Sequence, residues 1–323
     1  MQTASVVAFG REACHVRPLE FSAPRSLDEA IKLISGPGGQ VGMLAGGTDL
    51  IIQYRGGRKE LGHMVDVKKI PELNVLTYDA AKGLRLGAAV SCMALGEFKS
   101  AVEHYPGLVE GAELIGSTQI QSRATVGGNA CNGSPAADAI CGLIVHNAVM
   151  VVKGPKGQRE IAAKDFMTGP GKTALQPGEL LVEFRIPAPG ARTSSAYLRF
   201  IPRNEMDIAV AGAATRIVFK DDSATVADAS IAIGAVGPTP IVVEAAADAL
   251  IGKTINETTL AAAVKASEAA AKPISDVRGP ADYRRHLAGL LTRRTIEIAA
   301  QRALGKGPKP LGRGHMMGNG KRG

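Results

Sequence analysis

The sequence predicts an α+β fold in two domains, and three observations support this prediction. Strand-like segments outnumber helical ones early in the chain, whereas Ala-rich helical segments dominate its end. The chain has 323 residues, which exceeds the usual size of one domain. PAPGARTSS, residues 187–195, mixes Pro, Gly, Ser and Thr and is the best candidate for a linker. This order of elements favours an α+β architecture over a doubly wound parallel sheet.

The first elements alternate between helix and strand patterns. PRSLDEAIKLIS, residues 24–35, predicts an amphipathic helix with a capping box formed by Ser26 and Glu29. VGMLA is typical of a buried strand, and DLIIQYR after it predicts a helix that Thr48 or Asp49 caps. The strands HMVDV and LRLGAAV follow, and then helical patterns across residues 92–103 and 107–115.

The later elements follow a Gly-rich segment near residue 127. AVMVVK and LLVEFRI predict strands before the linker. Beyond the linker lie YLRFI, a long apolar run from Ile208, and ASIAIGAV. The chain then predicts Ala-rich helices to about residue 304, and no internal repeat is visible.

The composition predicts a soluble, globular, cytoplasmic protein. Hydrophobic residues make up 45% of the chain and charged residues 21%, and no apolar run approaches the roughly 20 residues that span a bilayer. The start, MQTASVVAFGREACH, lacks a positive region ahead of an apolar one, so it is not a signal peptide.

The pI near 9.4 does not predict a nucleic-acid-binding surface, because most of the excess charge lies at the end of the chain. Residues 301–323 contain six basic residues and no acid, which leaves two of the net eight positive charges for the rest. These six are Arg302, Lys306, Lys309, Arg313, Lys321 and Arg322. Such a Gly-rich segment predicts a disordered basic tail over residues 305–323.

The cysteines and histidines form no catalytic or metal-binding pattern. Cys14, Cys92, Cys131 and Cys141 include no CxxC pair, which predicts reduced thiols and no zinc site. The histidines are scattered and predict ordinary polar or packed residues: His15, His63, His104 and His146.

Two bare, Gly-rich loops are the informative part of the chain. LAGGTDLI, residues 44–51, places Gly46 and Gly47 between a strand and a helix. QIQSRATVGGNACNGSPAADA, residues 119–139, contains a second pair, Gly127 and Gly128. Small polar and acidic residues flank the second pair, namely Thr125, Asn129, Asn132, Ser134 and Asp138. Each loop is either a plain tight turn or a place where exposed N–H groups bind a phosphate. Together the loops suit a long ligand with a diphosphate in its middle.

Two other Gly-rich stretches do not match nucleotide motifs. GPGKT, residues 169–173, resembles the end of a Walker A motif, but Phe166 stands where that motif needs glycine. GPGGQVG, residues 36–42, has Val41 at the last glycine position of GxGxxG. The first is better explained as a surface turn, and a Rossmann NAD site is unsupported.

LAGGTDL together with ATVGGNACNGSPAAD resembles the FAD-binding medium subunit of the molybdenum hydroxylases, the xanthine dehydrogenase and aerobic carbon monoxide dehydrogenase family. The resemblance runs from VRPLEFSAP at residue 16 through RNEMDIAVAGAATRIVF, residues 203–219, to RGPADYRRHLAGLLTRR, residues 278–294. It implies an N-terminal extension over 1–15 and a two-subdomain FAD-binding domain of the vanillyl-alcohol-oxidase (PCMH) type over 16–190. It also implies a smaller α+β C-terminal domain over 191–304, ahead of the basic tail.

The resemblance implies FAD as cofactor and assigns the residues that bind it. The first diphosphate loop matches Ala45, Gly46, Gly47, Thr48 and Asp49, and the second matches Thr125, Gly127, Gly128 and Asn129. Ser134 belongs to the same stretch, and Asp138 matches the acid that binds the ribityl or ribose part. Asp207 and Ile208 match positions beside the isoalloxazine ring. The sequence contains no nucleophile–base pair, so we expect the flavin to carry the redox chemistry.

The resemblance also implies partner subunits. Electrons would leave the substrate at a molybdenum cofactor on a large subunit, cross two [2Fe-2S] clusters on a small subunit and reduce FAD here. NAD, a quinone or oxygen would then take them. Members of the family work as heterotrimers, often as a dimer of heterotrimers.

Two departures from relatives narrow the interpretation, and two other functions stay open. GGNACNGSPAAD lacks the Cys-rich insertion that carries a [4Fe-4S] cluster in the 4-hydroxybenzoyl-CoA reductase type. Ile208 stands where carbon monoxide dehydrogenases tend to have tyrosine, which argues against a CO-oxidising complex. A stand-alone FAD oxidase would need its own acid or base, and a flavin-free structural subunit would be expected to lose the bare loops.

Overall fold

The computed structural model describes residues 19–36, 40–203 and 206–308, and it confirms the α+β class. The described residues form a small parallel sheet, a five-stranded antiparallel sheet, a four-stranded antiparallel sheet and a two-stranded hairpin. Helices pack against the two larger sheets.

The first sheet is parallel, and two short helices connect its strands. The strands are β1 (Glu20–Ser22), β2 (Val41–Leu44) and β3 (His63–Asp66), in the order β1-β3-β2. α1 (Leu27–Ile34) lies between β1 and β2, and α2 (Leu50–Arg55) lies between β2 and β3. The first double-glycine loop is therefore the connection from β2 to α2.

The N-caps of α1 and α2 lie at the predicted positions, but some of their side-chain hydrogen bonds differ from those that the prediction implies. At α1 the Ser26 hydroxyl accepts a hydrogen bond from the Glu29 backbone N–H at 3.2 Å, as predicted. The Glu29 carboxylate accepts from the backbone N–H of Arg25 at 3.0 Å, one residue before the position a capping box requires. At α2 the N-cap is Asp49, and its side chain makes no capping hydrogen bond.

The second sheet is antiparallel and has the strand order β4-β5-β10-β6-β7. Its strands are β4 (Leu76–Asp79), β5 (Gly83–Gly87), β6 (Val149–Gly154), β7 (Gly157–Ala162) and β10 (Leu180–Ile186). β8 (Met167–Gly169) and β9 (Lys172–Thr173) form the separate hairpin. The turn of that hairpin is the GPGKT stretch.

One short helix precedes β4, and a group of others lies between strands of this second sheet. They are a 3-10 helix (Pro71–Asn74), α3 (Cys92–Glu97), α4 (Lys99–His104), α5 (Pro106–Glu113), α6 (Thr118–Gln121), α7 (Val126–Asn132), α8 (Asp138–Val145) and α9 (Ala163–Phe166). The helix predicted over residues 92–103 is two helices, because Phe98 between α3 and α4 has extended backbone angles. The strand predicted over 84–90 ends at Gly87.

The third sheet is antiparallel, and its first strand begins at Thr193, inside the segment predicted as the linker. Its strands are β11 (Thr193–Phe200), β12 (Ala211–Phe219), β13 (Val226–Gly234) and β14 (Ile241–Val242), in that order. Its helices are α10 (Glu244–Asp248), α11 (Glu257–Ala270) and α12 (Ala281–Ala303). α12 packs on β11 and β12 and α11 packs on α12, while α5 and α8 contact the same strands from the N-terminal part. Tyr197, Ala214 and Ala232 of this sheet belong to the hydrophobic core of the preceding part, so the two parts share a buried seam.

Some of the predictions fall on residues outside the described ranges. The predicted N-terminal extension, Cys14, His15 and the basic tail beyond residue 308 lie there, as do three residues of GPGGQVG and two of RNEMDIAV. Within the described ranges, no disulfide joins Cys92, Cys131 and Cys141. No helix in the described part of the chain is both long and apolar enough to cross a bilayer.

Candidate functional site

The two double-glycine loops lie against each other. A Cβ atom built on Gly46 would come within 2.2 Å of the backbone oxygen of Arg123 and 2.9 Å of the Cα of Ala124. Real side chains cannot approach backbone this closely, so only glycine permits the contact. Gly47 has φ +79°, a left-handed conformation that also favours glycine. The first loop is therefore bare for two structural reasons, a close approach and a turn.

The second loop opens α7, and its two glycines have different surroundings. The Thr125 hydroxyl is the N-cap and accepts a hydrogen bond from the Gly128 backbone N–H at 2.8 Å. A Cβ on Gly127 would lie 2.4 Å from the backbone oxygen of Ala88, so this glycine serves packing. A Cβ on Gly128 would meet only the Thr125 hydroxyl, at 3.1 Å. The open side of Gly128 is thus available to a ligand.

A first cavity of about 200 Å³ lies between the loops. Eight of the thirteen predicted binding residues line it: Ala45, Gly46, Gly47, Thr48, Asp49, Thr125, Gly128 and Asn129. The N-terminal ends of α2 and α7 both open onto this cavity, and the first N–H groups of a helix have no partner within it. Such ends favour an anion. Both loops line one cavity, and their role in binding one ligand stays a prediction.

Residues that the sequence analysis did not select complete the first cavity. Gln53 and Lys59 line it. The Gln53 side-chain amide donates to the Asn132 side-chain oxygen at 3.0 Å, which ties α2 to α7. Gln53 lies one turn into the helix that follows the first loop. This spacing is the only feature of the sequence that could have indicated Gln53 as a lining residue.

Polar atoms in the first cavity show what ligand it suits. The side-chain oxygen of Asn129 is buried and has no hydrogen-bond partner, which is costly unless a ligand or water supplies one. The Asp49 side chain is exposed at the cavity, yet the surrounding protein removes part of its solvent and raises its pKa. Lys59 adds a positive charge. The donor set therefore suits a phosphate together with a hydroxyl group.

A second cavity of about 310 Å³ lies at the other end of α7. Ser134, which follows the helix, and Ile208 both line it. Pro170 of the β8–β9 hairpin turn also lines it, so the GPGKT turn contributes to the cavity wall. The backbone N–H of Gly171 donates to the oxygen of Gly133 at 2.9 Å and fixes this hairpin against the end of α7.

Charged residues surround the second cavity. Lys272, Asp276, Arg278 and Arg284 are among its lining residues. Asp207 lies beside it, since its carboxylate is 4.0 Å from the Nε of Arg278 and accepts from the backbone N–H of Ile208 at 2.8 Å. Arg278 and Arg284 belong to the segment over residues 278–294 that carried part of the resemblance, although neither was predicted as a site residue.

Asp138 is not among the lining residues of either cavity. Its carboxylate is buried and accepts hydrogen bonds from the Tyr197 hydroxyl at 2.9 Å and from the Arg199 guanidinium at 2.7 Å. Burial raises the pKa of Asp138 to about 6, against the opposing effects of Arg199 and Tyr197. These partners place Asp138 in the seam between α8 and β11. Its assignment to the ribityl chain stays a prediction, and Gly127 likewise lies behind the first cavity.

A third cavity lies outside the predicted site, and the described residues form no metal-binding cluster. A cavity of about 440 Å³ between α8, α9 and β13 contains none of the predicted residues. The described part of the chain holds no group of three His, Cys, Asp or Glu side chains that could bind a metal ion.

Comparisons with known proteins agree on one family. Residues 17–189 match the family described as FAD binding domain in molybdopterin dehydrogenase, and residues 196–299 match the CO dehydrogenase flavoprotein C-terminal domain. The chain is 32% identical to the xanthine dehydrogenase FAD-binding subunit of Escherichia coli O157:H7, over 87% of this chain and 96% of that one. It is 34% identical to the carbon monoxide dehydrogenase medium chain of Afipia carboxidovorans, over 88% and 97% of the two chains. A structure of carbon monoxide dehydrogenase from Hydrogenophaga pseudoflava that lacks the Mo-pyranopterin moiety superposes with a TM-score of 0.84, at 33% identity, over 89% and 98% of the chains.

Proposed function

The chain belongs to the FAD-binding subunits of the molybdenum hydroxylase family, and we propose that it binds FAD across its two cavities and transfers electrons between partner subunits and a final acceptor. The observation that carries this proposal is the contact of Gly46 with the backbone of Arg123 and Ala124. This contact brings two bare loops and two helix N-termini to one cavity. The family match gives the chain an FAD-binding domain. The assignment of particular residues to the cofactor is our proposal.

The first cavity fits the diphosphate of FAD. Backbone N–H groups of the Gly46–Gly47 loop and of the first turn of α7 would donate to phosphate oxygens, with Thr48 and Thr125 as hydroxyl donors. The buried, unpartnered oxygen of Asn129 would accept from a hydroxyl of the cofactor. A cavity of about 200 Å³ is too small for a whole dinucleotide, so the rest of the cofactor must extend beyond it.

The second cavity suits the ring end of FAD. α7 has seven residues, which span about 10 Å at 1.5 Å per residue, and it joins Thr125 at the first cavity to Ser134 at the second. A cofactor with a sugar-alcohol chain between diphosphate and ring can reach both. Ile208 would contact the ring and Asp207 would hold the Ile208 backbone N–H in place.

Bound FAD would accept electrons and pass them on, and the protein would contribute binding, orientation and electrostatics. We propose that the electrons come from [2Fe-2S] clusters on a small subunit, after substrate oxidation at a molybdenum cofactor on a large subunit. NAD, a quinone or oxygen is the final acceptor. The assembly would be a heterotrimer, either single or paired.

The cofactor proposal is tested by the visible absorption spectrum of the purified chain. Bands near roughly 370 and 450 nm, with release of FAD and not FMN on denaturation, are the expected result. The polypeptide alone does not absorb at these wavelengths, so the bands report the bound flavin. A colourless chain that does not take up added FAD would show that the loops are only turns.

The assembly proposal needs a separate test. Tagged chain purified from its native host is expected to bring two further chains, one with molybdenum and one with iron. Recovery of an FAD-loaded chain without either metal would contradict it. Direct reduction of that FAD by an organic substrate would instead support a stand-alone oxidase.

A further inference from the structure

The guanidinium of Arg284 lies in the wall of the second cavity with one donor unused. Arg284 is in the first turn of α12 and its side chain is only 5% exposed. Its Nη2 donates to the Asp276 carboxylate and its Nη1 lies 3.4 Å from the backbone oxygen of Ala235. Its Nε is buried and has no hydrogen-bond partner. A buried N–H on a charged group is costly to leave unpaired, so this donor favours an acceptor from a ligand or a water molecule.

The charge of the second cavity points to the kind of acceptor. Its lining includes three cationic side chains, Lys272, Arg278 and Arg284, and one carboxylate, Asp276. Among the described lining residues, three positive charges and one negative leave an excess of two positive charges. Asp207 lies beside Arg278 but also faces Arg203, at 3.4 Å, so that pair adds no net negative charge. An acceptor that carries negative charge is therefore favoured over a neutral one.

We propose that Arg284, supported by Lys272, stabilises negative charge on the reduced flavin ring and so raises the reduction potential of the FAD. This inference rests on the proposed function, which places the ring in the second cavity. Reduction adds two electrons and one proton to the neutral ring and leaves one negative charge on it. In the assembly the electrons come from an iron–sulfur subunit. The Nε–H of Arg284 would donate to an oxygen or nitrogen at the edge of the ring where this charge develops.

The chain offers variants that separate this role from folding. Arg284→Gln removes the charge but also takes one of its two arginine partners from Asp276, which keeps Arg278, so it can destabilise the fold. Lys272→Gln removes a positive charge from the same cavity at an exposed side chain. Arg285→Gln is the matched control, because Arg285 is adjacent on α12, is not among the cavity-lining residues and pairs with the exposed Asp282. Arg284→Lys tests whether charge alone is sufficient.

The experiment measures two quantities on the full-length chain loaded with FAD. The first is the FAD content and the affinity for oxidised FAD. The second is the midpoint potential of the bound flavin, from its absorbance during reduction by dithionite against reference dyes. We expect Arg284→Gln to weaken binding of reduced relative to oxidised flavin about tenfold, which lowers the potential by about 30 mV. Lys272→Gln should lower it in the same direction by a smaller amount, Arg284→Lys should recover part of the loss, and Arg285→Gln should match the unaltered chain.

The outcomes separate this inference from the proposed function. An unaltered chain that binds no FAD contradicts the proposed function itself. If the unaltered chain binds FAD but Arg284→Gln and Lys272→Gln keep its potential, the proposal for Arg284 is wrong while the FAD site stands. If Arg284→Gln does not fold, the potential of Lys272→Gln against Arg285→Gln decides the question.

Discussion

The buried seam between the two parts of the chain should make stability depend on pH through His146. This residue is the C-cap of α8, and its Nε2 lies 2.8 Å from the hydroxyl of Ser195 in β11. Its ring also meets Tyr105 edge to face, with centroids 5.1 Å apart. Burial lowers the pKa of His146 to about 3, with a further contribution from the positive charge of Arg216. His146 is therefore neutral in the folded chain.

The sign of the effect follows from the two states. The pKa of this histidine in the unfolded chain is the ordinary 6.5, so below that pH the unfolded state takes up a proton that the native state does not. Stability is therefore lost as pH falls from 6.5 towards about 3. Between about pH 7 and about pH 5 the loss from this group is about 2 kcal/mol.

Asp138 in the same seam has the opposite effect. Burial raises its pKa from 3.8 to about 6, so the native state binds a proton more tightly than the unfolded chain between these values. This group adds about 1 kcal/mol of stability when the pH falls from about 7 to about 5. The two contributions partly cancel in the unaltered chain, so variants are needed to separate them.

The assay is urea denaturation followed by circular dichroism at the two pH values, with one fixed FAD concentration throughout. His146→Gln should lose about 2 kcal/mol less than the unaltered chain on going from about pH 7 to about pH 5. Asp138→Asn should lose about 1 kcal/mol more. His286→Gln, at a histidine whose side chain is 66% exposed, is the control. Identical pH dependence for His146→Gln and the unaltered chain would refute the reasoning.

Three further predictions concern the loops of the first cavity. Gly128→Ala should lower FAD affinity about tenfold, because the new methyl group enters the open side of the loop. The amount of FAD per chain after gel filtration checks this. Gly190→Ala is the control, since a Cβ at Gly190 makes only an ordinary contact. Gly47→Val should abolish flavin retention and lower the thermal midpoint of unfolding. A β-branched residue at φ +79° costs about 1–3 kcal/mol, and its Cβ would clash with the Leu44 and Ile51 side chains. Full FAD loading of this variant would contradict the prediction. Gln53→Ala should speed FAD dissociation severalfold, because it removes the hydrogen bond to Asn132. Stopped-flow fluorescence measures the dissociation rate. An unchanged rate would show that this hydrogen bond does not hold the loops together.

The sequence alone was sufficient to predict that two distant loops meet. Glycine pairs carry a strong signal, because a backbone that must approach another backbone or adopt a left-handed turn excludes nearly every other residue. Gly46 and Gly47 have these two reasons in the structure. The resemblance assigns Gly47 to the diphosphate loop, yet its Cβ direction faces the Leu44 and Ile51 side chains. Residue type thus predicted where the backbone is tightly packed or left-handed, but not the direction in which each residue faces.

Local sequence could not predict the helices and partners that follow the second loop. α7 contains two glycines with low helix propensity, and it forms because Gly127 packs against Ala88 and Thr125 caps its first turn. α8 is apolar on all sides, since every residue of Asp138–Val145 is buried, so it has no helical period to detect. The hydrogen-bond partners of Asp138, which are Tyr197 and Arg199, are about 60 residues further along the chain and lie in β11. Only tertiary structure reveals that this carboxylate already has two donors.

If FAD lies across the two cavities as proposed, the position of α7 separates the binding of the cofactor from the control of its potential. The first turn of this helix meets the first cavity, and its last residue leads through Gly133 to Ser134 at the second. The first cavity offers backbone N–H groups, whose interaction with a diphosphate is the same in both redox states. The second cavity offers Arg284 and Lys272, whose interaction changes when the ring gains charge. Substitutions in the glycine loops should therefore change how much FAD is bound at an unchanged potential, whereas substitutions at the second cavity should change the potential of the FAD that remains.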